Sequence, residues 1–128
     1  MDLNKLTWGE KTAINVKIAD FLKWEKSTRY ANGYLAFNRD EYQVMPEELK
    51  FHISWDWLNT AIEGIEEKIV FYNAGYKHEN VEFIQSFEDM LHKISNGLII
   101  KKSKVFAATD LEVVLDAVII FIDWYNKL

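Results

Sequence analysis

The chain predicts an α+β fold, with three to four helices packed on a small, mainly antiparallel sheet. Two observations carry that expectation. Apolar residues recur at gaps of three and four behind cap-like residues at Ser54 and Thr109, as amphipathic helices require. Short β-branched and aromatic runs such as Leu98-Ile99-Ile100 and Val105-Phe106-Ala107 stand between polar turn residues, as strands do. The helices beginning at Ser54 and Thr109 are expected to form the central layer.

The first helix is expected over residues 12–25. Ile14, Ile18, Phe21 and Leu22 keep helical spacing, Val16 and Ala19 widen the apolar face, and Thr12 is the cap. Residues 30–45 are rich in aromatics but aperiodic. They read as an irregular excursion with a short strand over 34–37, and a long loop in a small domain is often functional.

The second helix has the clearest pattern. Ser54 is the N-cap, Asp56 suits the positive end of the dipole, and Trp55, Leu58, Ile62, Ile65 and Ile69 form one stripe. Gly64 costs about 1 kcal/mol relative to Ala in mid-helix, so a neighbour is expected to pack closely against it.

Beyond it, residues 69–72 and 81–84 read as strands around a turn at Asn73-Ala74-Gly75. A short helix is expected from Ser86 to Asn96-Gly97, with an extra strand as the alternative. Thr109-Asp110-Leu111-Glu112 reads as a capping box opening a last helix that runs to about Asn126. That helix is apolar on most sides. It is therefore either the central helix of the domain or also a homodimer interface.

With 128 residues, the chain is expected to form one domain, 1–128, able to bury roughly two-thirds of its unfolded surface. A single proline and five glycines imply compact connections. The net charge of -5 disfavours general nucleic-acid binding. The run Lys101-Lys102-Ser103-Lys104 is too short to reverse this and reads as a solvated turn or strand edge. The lack of cysteine excludes disulfides, thiol nucleophiles and cysteine-ligated zinc. Met1-Asp2-Leu3-Asn4-Lys5 lacks an apolar signal core, and no segment approaches the ~20 apolar residues of a membrane span. A cytoplasmic chain with no membrane partner is expected.

Two segments carry a resemblance. Phe51-His52-Ile53-Ser54-Trp55-Asp56-Trp57-Leu58 and the terminal Ala117-Val118-Ile119-Ile120-Phe121-Ile122-Asp123-Trp124-Tyr125-Asn126 resemble a family of small proteins from phages and mobile elements of Bacteroidetes. Members of that family carry a Ser-Trp-Asp-Trp-Leu-Met-Pro-Val-Val-Glu-Lys-Ile segment and end in Phe-Ile-Lys-Trp-Tyr-Asn. The stretch Ile18-Ala19-Asp20-Phe21-Leu22 is similar to their Ile-Ala-Glu-Phe-Met. The chain departs from the pattern at Asn59-Thr60-Ala61-Ile62, which follows Leu58, and at Asp123, which stands where the family has Lys. The resemblance implies kinship of origin and fold, and the host cytoplasm as the setting. It carries over no catalytic residue.

Catalytic and metal chemistries find little support. Asp89 and His92 are three apart on the expected short helix, and His78 precedes Glu79. His78 has no second His four residues later, so the zinc-protease pattern fails. Asp56, flanked by two indoles, is the best acid–base candidate, yet a first-turn aspartate usually serves the helix dipole. His52 reads more readily as a structural hydrogen-bonder, and Ser54 as a cap. No Gly-x-Ser-x-Gly elbow and no Gly-rich phosphate loop is present. No cofactor is implied.

Binding is the reading that the aromatics favour. Trp24, Tyr30, Tyr34, Trp55, Trp57 and Trp124 exceed what a core of this size needs, and Trp and Tyr dominate contact energies. Trp55, Trp57, Asp56, His52, Tyr30 and Tyr34 are the expected ligand or partner residues. Arg29 and Arg39 join them as groups suited to a carboxylate or phosphate. The expected function is a small non-enzymatic accessory protein of phage or mobile-element origin that inhibits a host defence protein. The alternatives are a sponge for a nucleotide-like signalling ligand and an enzyme using Asp56 as acid or base.

Overall fold

The structure is a computed structural model that describes residues 2–73, 98–101, 104–107 and 111–127, with side chains for 2–69 and 111–127. Helix α1 spans Trp8–Phe21, α2 spans Trp55–Asn73 and α3 spans Leu111–Asn126. Strands β1 (Tyr34–Leu35) and β2 (Gln43–Val44) pair antiparallel, Tyr34 opposite Val44. Strands β3 (Leu98–Lys101) and β4 (Lys104–Ala107) form a second antiparallel ladder, Leu98 opposite Ala107 and Lys101 opposite Lys104. The described architecture is thus mixed α+β and mostly helical. The strands over 98–100 and 105–107 stand where the sequence places them.

Helix α1 begins and ends earlier than the 12–25 expected. Thr7, not Thr12, caps it: its side chain accepts from the Glu10 backbone while the Glu10 carboxylate accepts from the Thr7 backbone. This reciprocal box satisfies two orphan N–H groups. The far end closes with Lys23 N–H donating to Asp20 O and Trp24 N–H to Ala19 O, at 3.0 and 3.1 Å. That is a Schellman motif, and it holds Lys23 at φ 57° where glycine is usual. The chain reverses there and turns Trp24 into the core.

The excursion between α1 and α2 holds its own small ladder. The strand expected over 34–37 stops at Leu35, because Phe37 adopts φ 55°, ψ 25° within a 3-10 turn, Ala36–Asn38. Ser27 Oγ accepts from the backbone of Arg29 and Tyr30 and donates to Gln43 Oε1, tying the loop to β2.

Ser54 opens α2 through a long 3.4 Å contact with the Trp57 backbone N–H. Leu58, Ala61, Ile62, Ile65 and Ile69 are buried as one stripe. The stripe does not include Trp55, which is 36% exposed; Trp57 is the indole that points inward. Phe51 packs against Trp57 on that face, ring centroids 5.4 Å apart, as Trp24 does at 5.5 Å and Phe37 at 5.1 Å. Residues 69–72, expected as a strand, are helical, because Ile69 continues the stripe four residues after Ile65. Gly64 has the close neighbour expected of it: a Cβ there would lie 2.8 Å from Leu22 Cδ2 and 3.4 Å from Phe21 Cε1.

Helix α3 buries Val114, Leu115, Ala117, Val118, Ile119, Phe121 and Ile122. It packs against α1 and α2, and β4 packs against α2. Those seven side chains find their cover within the chain, in one cluster with Ile18, Trp57, Leu58 and Ile65, while Val113 is exposed. Lys17 Nζ on α1 meets Asp123 Oδ1 on α3 at 2.6 Å, and Phe21 meets Tyr125 edge-on at 5.6 Å. The expected strand over 81–84, the helix from Ser86, the cap at Thr109 and the residues His78, Glu79, Asp89 and His92 lie outside the described residues.

Candidate functional site

Five rings converge where the excursion meets α2. The indole of Trp57 lies 5.5 Å from Trp24, 5.1 Å from Phe37, 6.0 Å from Tyr42 and 5.4 Å from Phe51, edge-on in each case. Phe37 stacks on Tyr42 at 14°, and Trp24 closes on Phe51 at 5.0 Å. Edge-on contacts of this kind hold rings more firmly than area burial alone. Tyr42, 37% exposed, carries the cluster to the surface.

Trp24 also borders a groove of about 800 Å³, which Leu22, Thr60, Glu63, Gly64, Glu66 and Glu67 line with it. The groove is built by two local facts. The Schellman turn aims Trp24 at α2, and Gly64 leaves room for Leu22 to approach the helix. Glu63, Glu66 and Glu67 fall on one helical face because positions three and four apart are neighbours. A groove lined by carboxylates beside an indole and a leucine attracts a cation with an apolar stem and repels phosphate.

The residues expected to bind do not gather at one place. Trp57 is the hub of the ring cluster. Trp55 and Asp56 are exposed at the start of α2. Tyr34 is buried and donates to Asp20 Oδ1 at 2.8 Å, beneath Lys26 Nζ, which lies 3.9 Å from its ring centroid. Burial, with the Asp20 carboxylate, raises the Tyr34 phenol above its ordinary range. Tyr30 is half-buried in the Ser27 loop, with Arg29 and Arg39 exposed on the same excursion. Neither arginine lines the groove.

His52 is buried in the turn before α2. Asn15 Nδ2 on α1 donates to its Nδ1 at 2.8 Å. Burial and then the Lys11 charge lower its pKa below 6.5. The hydrogen bond joins α1 to the turn before α2 through His52.

Sequence reasoning did not single out Phe51, Asn15 or the groove glutamates as site residues. The spacing of Glu63, Glu66 and Glu67 opposite the Leu58–Ile69 stripe was a readable signal. Nothing local pointed to Asn15, whose partner is 37 residues away. Among the described residues, no three metal-ligating side chains cluster, and no helix is long and apolar enough to cross a membrane. No family model matches the chain, and neither a curated protein nor a solved structure matches it.

Proposed function

We propose that the chain is a small non-enzymatic accessory binding protein of phage or mobile-element origin that inhibits a host defence protein by covering a basic segment of it. The observation that carries this reading is the groove that Glu63, Glu66 and Glu67 line together with Leu22 and Trp24. A lysine or arginine side chain would lay its stem on Leu22 and Trp24 and present its charge to the carboxylates. The net charge of -5 would speed the approach of a basic partner. The motif resemblance supports the proposed origin.

The groove argues less for a nucleotide sponge, because carboxylates repel phosphate and neither arginine lines it. It argues less for acid–base chemistry too: Asp56 is exposed, whereas a general acid needs a desolvated carboxylate.

The test is titration of the full chain with a lysine- and arginine-rich peptide, read by tryptophan fluorescence at low and high salt. Binding should weaken with salt, and the double variant Glu63→Gln, Glu67→Gln should weaken it about tenfold or more. Equal binding by wild type and double variant overturns the groove reading. A rise in Tm with a nucleotide or cyclic dinucleotide would transfer the proposal to the sponge.

A further inference from the structure

Among the described residues, the interior holds a polar pair that the binding reading does not use. Asn15 is 2% exposed and His52 is 6% exposed, and together they join the middle of α1 to the turn before α2. The amide nitrogen donates to Nδ1, so the neutral ring carries its proton on Nε2. The amide oxygen of the same Asn15 is buried and has no hydrogen-bond partner. Such an orphan is costly and calls for an explanation.

We propose that Asn15 and His52 form a proton-operated latch in which the orphaned amide oxygen is the acceptor for the protonated ring. One proton from solvent adds to Nδ1. The bond from Asn15 Nδ2 to Nδ1 is lost, the Asn15 amide turns over, and Nδ1–H donates to Oδ1. The contact between α1 and the start of α2 survives with its direction reversed.

The charged group that acts on the ring is Lys11, one turn before Asn15 on α1. Other described charges on α1 and around the turn are paired elsewhere or open to water. Lys17 pairs with Asp123, and Glu48 accepts from the Met45 backbone. Glu47, Lys50 and Asp56 are exposed. Burial and then Lys11 favour the neutral ring, which sets the latch to turn at a lower pH than a free histidine would. The turn occurs beside exposed Ile53 and Trp55, so the proton acts at the footing of an apolar surface.

The experiment is an NMR titration of the ¹⁵N-labelled full chain. At pH 7.5, His52 should show a protonated Nε2 and a bare Nδ1. On acidification its Nδ1 should protonate with a midpoint below that of a free histidine, and the Asn15 side-chain amide resonances should move with the same midpoint. Asn15→Asp, which offers a fixed carboxylate oxygen, should raise the midpoint by about one pH unit or more. A protonated Nδ1 at pH 7.5, an Asn15 amide that ignores the titration, or unfolding before His52 titrates would each overturn the latch.

Discussion

Phe37 meets the indole of Trp57 at 5.1 Å from a left-handed backbone, φ 55° and ψ 25°. Asn38, the next residue, is left-handed too, at φ 55°. Asn is one of the residues that visit that region, and here its side chain also ties the turn to the chain after α1, accepting from the Glu25 N–H at 2.7 Å. A bulky aromatic does not, so the contacts of Phe37 with Trp24, Tyr42 and Trp57 must offset the backbone cost.

Phe37→Ala and Phe37→Gly both remove the ring, but only glycine also relieves the backbone. Glycine loses more freedom on folding, so part of the gain is returned. The glycine variant should be the more stable of the two by about 0.5–1 kcal/mol in urea denaturation. Equal stability would mean that the left-handed turn depends on the ring and relaxes without it.

The two tryptophans that flank Asp56 should separate sharply. Trp57 is 5% exposed and touches four rings, whereas Trp55 is 36% exposed. Trp57→Ala should cost about 3–5 kcal/mol and Trp55→Ala less than about 1 kcal/mol, both read from urea midpoints. Comparable losses would place Trp55 in the core.

That contrast shows where the sequence is legible. Period alone carried α2 and α3, because Leu58, Ile62 and Ile65, like Val114, Val118 and Phe121, have one direction in which to bury. Period chose the wrong indole: spacing puts Trp55 three residues before Leu58 in the stripe, yet Trp57, which borders the same stripe from the other side, is the buried one. The inward place of Trp57 goes with four rings outside the helix, Trp24, Phe37, Tyr42 and Phe51, that meet it. The start of α1 was readable from Thr7-x-x-Glu10, a reciprocal box that outranks a lone Thr12 near the first apolar residue. Its end was not, because the Schellman turn uses Lys23 in place of glycine. The groove needed tertiary structure: Trp24 and Glu63 share it only once that turn has aimed the indole at α2.

Lys23 therefore offers a stabilising substitution. Its side chain is exposed and its backbone is left-handed at φ 57°. Lys23→Gly removes the Cβ conflict and keeps both closing hydrogen bonds of the motif. The gain should be about 0.5–1 kcal/mol after the extra freedom of the unfolded glycine is subtracted, seen as a higher Tm. A lower Tm would mean that the lysine side chain does more at that turn than solvate it.

The acid limb of stability should belong in part to His52. Burial and the Lys11 charge hold its folded pKa below the ordinary 6.5, so the unfolded chain takes up this proton first as pH falls. Between the two values the unfolded state binds more protons, and stability drops with pH. The contribution is whole above about pH 6.5 and is lost as pH falls through the folded value. Glu10 acts with the same sign at lower pH, because hydrogen bonds from the Thr7 backbone and side chain lower its carboxyl below 4.5. Urea midpoints measured from pH 7.5 to 5 should therefore fall more steeply for the wild type than for His52→Gln, which has no proton to take up in that window. Parallel curves would show that His52 titrates alike in both states, and that the Asn15 bond and its burial place no penalty on the charged ring.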